Sequence, residues 1–226
     1  MLARERALEM ALAEAARHVH EEGGSNTGPR VREYQSATSL GGTGWAWCDA
    51  FCDYCFAEAG RPLSELQRSA GVELSFELAK KHGWCVSTPA RGDLVCFQWD
   101  TGALDHIGFV VQPMPDGSIK TVEGNTAAMA GTGHAQGEGD GVYVKIRPRK
   151  VCAAFIRVPG EVADPKPKAG YDEWAKWVQG GRKGKRPDVP EKVPTAWWAK
   201  LGHKLKPKHD AGPPHPAEAP HTAGVR

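Results

Sequence analysis

The order of hydrophobic patterns along the chain is the feature that most restricts its fold. Helical patterns come first, and after Pro89 the sequence changes to short β-branched and aromatic runs separated by turn signals. Five such runs predict strands, at residues 93–99, 106–112, 119–123, 142–147 and 153–158. Helices followed by an antiparallel set of strands predict an α+β fold rather than a doubly wound parallel sheet.

The part of the chain before Pro89 predicts three helices. Apolar residues recur at helical spacing in residues 2–21, as in an amphipathic helix. Residues 47–59 and 64–81 predict two more helices, the second with a break at Gly71. Between the first two helices, residues 25–44 are rich in Gly, Ser, Thr and Asn and predict a loop.

Charge and proline content divide the chain near residue 160. Residues 1–160 carry 16 Lys and Arg against 19 Asp and Glu, and they contain all six cysteines. Residues 161–226 carry 13 Lys and Arg against 8 Asp and Glu, and they contain 10 of the 17 prolines. We therefore expect a folded domain over 1–160, with its core at about 28–158, and a basic Pro-rich tail over 161–226.

Aromatic and basic residues alternate in the predicted tail. Four of the eight tryptophans lie in residues 171–178 and 195–201, on either side of the basic segment 180–186. Such segments bind anionic surfaces, so one interpretation is targeting to an anionic wall polymer or a membrane surface. Docking of the aromatic residues onto the domain and a solvated linker are the alternatives. Because no nucleic-acid motif accompanies the net charge of +2, nucleic acid is not an expected partner.

The first residues of the chain do not form the pattern of a secretory signal. Arg4, Glu5, Arg6 and Glu9 interrupt any apolar run there, and no other run approaches the roughly 20 apolar residues of a membrane span. We therefore expect a monomer made in the cytoplasm, with reduced cysteines. If it acts outside a membrane, another agent must release it.

Cys48 is a candidate nucleophile. It lies where the Gly-rich segment 41–44 meets the predicted helix 47–59. A helix N-terminus favours a thiolate, and its unpaired N–H groups can stabilise an oxyanion. The alternative is a small buried apolar residue.

The other five cysteines fit a structural role better. Cys52 and Cys55 share a helical face with the candidate nucleophile, but the trio lacks the tight turn and second ligand pair of usual zinc sites. Cys96 and Cys152 lie in apolar strand runs and predict core positions. Cys85 lies near a turn and is left undecided. We expect free thiols at all five positions, at least four of them buried.

His106 is a candidate general base. It begins a predicted strand, where a neutral imidazole can face a cleft and accept a thiol proton, although a surface position is the alternative. Glu123 and Asn125 end the next predicted strand, 17 residues beyond His106 in the case of Glu123. If these strands are antiparallel neighbours, a carboxylate or amide from this end can orient the imidazole. Together the residues predict a cysteine-dependent acyl-transfer site.

Four segments, in this order along the chain, carry a resemblance to a known family. They are Trp47-Cys48-Asp49-Ala50-Phe51 followed by Ala59-Gly60, then Arg91-Gly92-Asp93-Leu94-Val95, Asp105-His106-Ile107-Gly108-Phe109-Val110 and Glu123-Gly124-Asn125-Thr126. These segments resemble the CHAP domain, the cysteine, histidine-dependent amidohydrolase/peptidase domain. The resemblance covers about residues 28–158 and implies a papain-like α+β fold.

The resemblance also implies an activity and roles for the residues. Relatives of this kind are phage lysins and bacterial wall hydrolases, which cleave amide bonds of peptidoglycan. Cys48 would be the nucleophile, His106 the general base, and Glu123 the residue that orients His106. Asn125 would assist with the imidazole or the substrate. An N-acetylmuramoyl-L-alanine amidase and an endopeptidase both remain open.

Further site residues follow from the same resemblance. Trp45, Trp47 and Trp99 flank the expected cleft and are candidates for apolar walls that bind a stem peptide or a sugar face, with packing in the core as the alternative. Some relatives carry an Asp-rich calcium loop before the cysteine. Here residues 26–44 contain one acidic residue, Glu33, so we expect neither calcium nor another cofactor.

Two other classes of function remain open. One is a virion-associated protein that recognises the wall with little activity. The other is a thiol-dependent acyltransferase, because the same pair of residues can transfer an acyl group to an amine.

Overall fold

The computed structural model describes residues 1–99, 102–128 and 139–163. It has four α-helices in this part of the chain: α1 (Ala3–Ala16), α2 (Pro29–Ser36), α3 (Cys48–Glu58) and α4 (Val72–Lys81). Six strands accompany them: β1 (Cys85–Val86), β2 (Leu94–Phe97), β3 (His106–Pro113), β4 (Ile119–Thr126), β5 (Gly141–Arg147) and β6 (Cys152–Ile156). The predicted α+β fold is confirmed.

The predicted tail falls almost wholly outside the described residues. Its two Trp-containing segments and the basic segment between them are not described, so the division near residue 160 and the targeting role stay predictions. No helix of the described residues combines the length and the apolar character that a membrane crossing requires.

The helices differ from the predicted ones in three places. The predicted helix over 64–81 is a 3-10 turn at Ser64–Leu66 followed by α4, which begins only after Gly71. Helix α1 ends at Ala16, earlier than expected, because the residues after it pair with the start of β5: Val142 N–H donates to the Val19 carbonyl at 3.0 Å. The predicted loop at 25–44 contains α2, which begins at Pro29, a residue suited to the first helical turn. The buried side chains of Val31 and Tyr34 anchor this short helix to the core.

The strands form one antiparallel sheet in the order β1-β6-β2-β3-β4-β5. All five predicted strands are present, and the two-residue strand β1 is an addition that pairs with β6. The central strand β3 pairs with β2 on one side and with β4 on the other. This order therefore makes the two strands with candidate site residues, β3 and β4, direct neighbours.

The two faces of the sheet have different neighbours. Ile107, Phe109 and Val122 belong to the apolar cluster that also includes side chains of α1 and α3. Because side chains alternate along a strand, His106 and Glu123 lie on the opposite face. A smaller apolar cluster covers part of that face and includes Phe97 and Phe155.

Helix α3 packs very closely on β4 at Gly124. A Cβ atom at this position would lie 2.6 Å from Cγ of Phe51 and 2.8 Å from the indole of Trp47. Only glycine allows the strand and the helix to approach this closely. The first turn of α3 is therefore set directly against the end of β4 that carries Glu123.

Candidate active site

Cys48 is the first residue of α3 and its side chain is buried, with 4% of its surface exposed. Backbone groups of Asp49 and Ile107 act on the thiol and lower its pKa, which identifies them as N–H donors. Ile107 directly follows His106 on β3. The thiol of the predicted nucleophile thus lies beside the backbone of the residue that follows the predicted base on β3.

The electrostatic state of Cys48 differs from the predicted thiolate. Burial, followed by the charge of Asp49, raises the pKa of the thiol to about 12, and the backbone N–H donors offset only part of that rise. The helix N-terminus does supply donors, but the cost of placing a negative sulfur away from water is larger. Burial therefore favours the neutral thiol of Cys48 in the free protein.

His106 is fully buried and bound to Glu123. The two strands pair in a register that places Phe109 opposite Val122, so Glu123 reaches the imidazole diagonally across β3 and β4. His106 Nε2 lies 3.0 Å from Oε2 of Glu123. Nδ1 is buried and has no hydrogen-bond partner among the described residues. The predicted pairing of the histidine with an acidic residue on the next strand is confirmed.

The Glu123 carboxylate receives more donors than the histidine alone. Thr121 Oγ1 donates to Oε1 at 2.5 Å, and Arg147 donates to Oε1 from Nε at 2.9 Å and to Oε2 from Nη2 at 2.5 Å. Burial raises the pKa of Glu123, but the hydrogen bonds from Arg147 and His106 outweigh it and bring the pKa to about 2. Glu123 is therefore an anion that accepts a hydrogen bond from Nε2–H, and in the neutral imidazole Nδ1 carries no proton.

Arg147 is a site residue that the sequence interpretation missed. It ends the predicted strand at 142–147, which was assigned no role beyond the sheet. Tyr143 pairs with Glu123 across β4 and β5, and Arg147 lies on the same face four residues later. A long basic residue on the same face as a buried acid in the neighbouring strand predicts an ion pair. This prediction can be made only once the strand order is known.

Gly108, two residues after His106, leaves the space that the Glu123 side chain occupies. A Cβ atom there would lie 2.6 Å from Cγ of Glu123 and 2.9 Å from the Val122 carbonyl oxygen. The side chain of Glu123 therefore passes directly over Gly108 on its way to His106. Any larger residue would push the carboxylate away from the imidazole.

Asn125 is the last but one residue of β4, and its backbone departs from the extended conformation of the strand. It is 1% exposed and has a left-handed backbone with φ 57°, which asparagine tolerates better than most residues. The pairing of β4 with β5 shifts register between Glu123 and Thr126, and Gly139 N–H donates to the Asn125 carbonyl at 3.0 Å. The bulge thus places Asn125 at the buried end of β4. Its role in catalysis stays a prediction.

The three candidate tryptophans occupy different environments. Trp47 is fully buried, stacks on Tyr34 at 5.4 Å and donates from Nε1 to Glu21 at 2.9 Å, so the predicted role in a substrate wall is wrong for this residue. Trp45 is half-buried and donates to the Gly41 carbonyl. Trp99 is half-buried with its ring 5.6 Å from that of His106. Trp45 and Trp99 remain candidates for substrate contact.

The remaining cysteines confirm the predicted free thiols. None of the six, all within the described residues, forms a disulfide. Cys52, Cys55, Cys96 and Cys152 are buried, whereas Cys85, which the sequence left undecided, is exposed. Within the described part of the chain, no three histidine, cysteine or acidic residues are grouped as a metal site would require.

An open groove lies near the first turn of α3. Ser69, one of the residues that line it, acts on the carboxyl of Asp49, the residue after Cys48. Leu40 and Leu74 are exposed at 61% and 50% on its walls. The groove is lined by Ser39, Leu40, Gln67, Ser69, Ala70, Gly71 and Leu74.

Two buried carboxyl groups follow Cys48 on α3. Asp49 accepts a hydrogen bond from Ser75 at 2.8 Å, and Asp53 lies one turn later with an Oδ2 that has no partner among the described residues. Burial raises the pKa of both groups, and the Asp49 charge raises that of Asp53 further. The pair therefore retains a proton at a pH where ordinary aspartates have lost theirs.

This raised pKa predicts a pH-dependent cost in stability. The unfolded chain releases the Asp53 proton near the ordinary pKa of 3.8, whereas the folded chain keeps it, so stability falls as pH rises above about 4. We expect Asp53→Asn to stabilise the protein by about 1 kcal/mol or more near pH 7, and by progressively less toward pH 4. Urea unfolding at a series of pH values measures this difference. Glu58→Gln, an exposed change on the same helix, is the control, and an Asp53→Asn effect independent of pH would contradict the prediction.

The neutral state of Cys48 predicts slow alkylation. Iodoacetamide reacts with thiolates, so near neutral pH we expect exposed Cys85 to be labelled at least about tenfold faster than Cys48. Peptide mass spectrometry after timed quenching measures both rates in one sample. In Cys85→Ser protein, labelling of Cys48 should accelerate steadily with rising pH. Labelling of Cys48 ahead of Cys85 would show a resting thiolate instead.

Comparison with known families adds to this geometry. The CHAP domain family matches residues 40–125, a segment that contains Cys48, His106, Glu123 and Asn125. Comparisons with curated proteins and with solved structures found no match.

Proposed function

We propose that the chain, whose residues 40–125 match the CHAP domain family, is a cysteine- and histidine-dependent amidohydrolase or peptidase that cleaves amide bonds of bacterial peptidoglycan. The bond is that of an N-acetylmuramoyl-L-alanine amidase or of an endopeptidase. We further propose that the protein is a phage lysin, made in the host cytoplasm and released to the wall by a holin or carried there on a virion.

One observation carries the proposal. His106 is bound through Nε2 to an ionised, buried carboxylate, and Nδ1 is left without a partner among the described residues. The next residue, Ile107, contacts the Cys48 thiol through its backbone. This arrangement supplies a base for a thiol that burial keeps protonated. A histidine with a purely structural role would have both ring nitrogens satisfied.

The first half of the reaction forms a thioester. As Cys48 Sγ attacks the carbonyl carbon, His106 Nδ1 accepts the thiol proton. The negative charge of Glu123 is already in place to stabilise the imidazolium that forms. Backbone N–H groups in the first turn of α3 stabilise the oxyanion. The C–N bond then breaks, and the amine leaves with the proton from Nδ1.

The second half releases the product. Nδ1 removes a proton from water as the water oxygen attacks the thioester carbonyl, and the C–S bond then breaks. The proton returns to sulfur, which restores the neutral thiol of Cys48. The products are a carboxylic acid and an amine, and no other reactant than water is consumed.

We propose that the substrate contacts surfaces on two sides of Cys48. Trp99, which lies against the His106 ring, forms a wall on the β3 side. The groove with Leu40 and Leu74 offers apolar contacts for a stem peptide, and Trp45 lies on the segment that leads from Leu40 to Cys48. The basic tail would add affinity for an anionic wall polymer or a membrane surface.

Substitution of the two reacting residues tests the proposal. We expect Cys48→Ala and His106→Ala each to reduce wall hydrolysis by at least about 1000-fold, because neither variant can form and resolve the thioester. Release of new amino groups from purified peptidoglycan measures the rate. Mass spectrometry of the fragments identifies the bond: a free L-alanine amine indicates an amidase, and another amine an endopeptidase.

A matched substitution separates chemistry from folding. Cys85→Ser removes an exposed thiol and should leave hydrolysis unchanged, and circular dichroism should show the same fold for all three variants. Undiminished hydrolysis by folded Cys48→Ala protein would refute the proposal. Wall binding by the wild-type protein without any release of amines would instead favour a recognition protein.

A further inference from the structure

We propose that Arg147 is a positioning residue for the hydrolysis proposed above, on which this inference rests. By binding both oxygens of Glu123, Arg147 makes that side chain an acceptor only. His106 then keeps its proton on Nε2, and Nδ1 stays available for the Cys48 thiol.

The contacts of Arg147 are those of a rigid bidentate clamp. Its side chain is 5% exposed and donates to both oxygens of Glu123, at 2.9 Å and 2.5 Å. Nη2 also donates to Thr126 Oγ1 at 3.1 Å. The guanidinium lies over the rings of Phe97 and Trp99, at 5.6 Å and 5.5 Å, which are the same rings that contact His106. A guanidinium provides this paired geometry, and an ammonium does not.

The donor set of Glu123 leaves no place for a proton on its carboxylate. Oε1 accepts from Thr121 and Arg147, and Oε2 accepts from Arg147 and faces Nε2 of His106. Thr121 and Arg147 take three of the four acceptor positions of the carboxylate, and the charge of Arg147 opposes a proton in the fourth, which faces Nε2. The carboxylate therefore remains ionised and can only accept from Nε2.

Loss of the guanidinium would change where the protons lie on Glu123 and His106. Burial is the largest effect on the Glu123 pKa and raises it, so without Arg147 the carboxyl takes up a proton at much higher pH. A protonated carboxyl donates, and its O–H then points at Nε2 of His106. The imidazole responds by carrying its own proton on Nδ1, where it blocks transfer from the thiol.

The other titratable groups around Glu123 cannot replace Arg147. Lys145 acts on Glu123 only through its charge, because its ammonium donates to the Ala127 carbonyl at 2.7 Å. Cys152 is buried with its pKa raised to about 12, so it is a neutral thiol. Among the described residues that act on the Glu123 charge, His106 is the other titratable group, and it is the group whose state is to be controlled.

The ring nitrogens of His106 report the effect directly. In full-length protein labelled with ¹⁵N-histidine, the nitrogen chemical shifts distinguish the two tautomers, and His106→Gln identifies the His106 signals. From about pH 5 to about pH 8, we expect Nε2–H in the neutral ring of the wild type. In Arg147→Met we expect Nδ1–H at the lower pH values, replaced by Nε2–H as pH rises. An unchanged Nε2–H tautomer at every pH would overturn the proposal.

A matched control and a milder variant keep the test decisive. Arg157→Met removes another bidentate clamp, with bonds of 3.0 Å and 2.7 Å to buried Asp93, and should leave the His106 tautomer unchanged. If Arg147→Met does not fold, Arg147→Lys keeps the charge but loses the paired bonds. Its tautomer change should occur at lower pH, and a spectrum identical to the wild type would overturn the proposal.

Kinetics give a second readout on the same variants. We expect Arg147→Met to lower kcat for wall hydrolysis at least about tenfold near pH 6, with KM little changed and recovery as pH rises. A loss that is equal at every pH would indicate a merely structural role and overturn the proposal. If the wild type does not hydrolyse wall at all, the proposed function fails, whereas the tautomer result stands independently.

Discussion

The buried carboxylate of Glu123 is the charge on which the rest of the site depends. It is fully buried on the sheet, where an uncompensated ion would cost several kcal/mol. Thr121, Arg147 and His106 together compensate it through contacts from three adjacent strands. The order of β3, β4 and β5 is thus an electrostatic requirement as well as a topological one, because moving any of these strands would leave a buried charge without a partner.

Two glycines connect this charge to the nucleophile. Gly108 leaves room for the Glu123 side chain to cross β3, and Gly124 lets α3 approach the other face of β4. As a result the thiol at the start of α3 meets the backbone next to His106. In the proposed mechanism the helix and the sheet supply different parts of the chemistry: α3 provides the sulfur and its N–H donors, and the sheet provides a base whose proton position is defined.

Burial of the nucleophile changes how its reactivity is obtained. A thiol with a pKa of about 12 is unreactive toward most electrophiles at neutral pH, which protects it in the free protein. In the proposed reaction the proton moves to His106 as the sulfur attacks a substrate carbonyl that is already in place. Control of the His106 tautomer then matters more than it would for a preformed thiolate, because Nδ1 must be unprotonated at that moment.

Much of this architecture follows from local sequence patterns, and the exceptions have physical reasons. The strand that begins at His106 and the strand that carries Glu123 were predictable, since alternation and turn signals mark both. Helix α2 was missed because its Gly- and Ser-rich surroundings obscure the anchors Val31 and Tyr34.

Three properties of the site could not be predicted from the sequence, because each depends on residues that are distant along the chain. The role of Arg147 requires the strand order, which one sequence does not specify. The state of Cys48 depends on how far burial outweighs the helix N-terminus, and the burial of Trp47 depends on the closeness of α3 to β4.

The central claim is that Cys48 forms a covalent thioester with the acyl part of a wall amide bond. Hydroxylamine competes with water for such a thioester: it displaces the Cys48 thiol and converts the acyl group to a hydroxamate, which mass spectrometry separates from the carboxylic acid. During wall hydrolysis by the wild type, we expect the hydroxamate share of the product to rise with hydroxylamine while total amine release stays constant. Amine release that yields only the carboxylic acid at every hydroxylamine concentration would contradict the thioester.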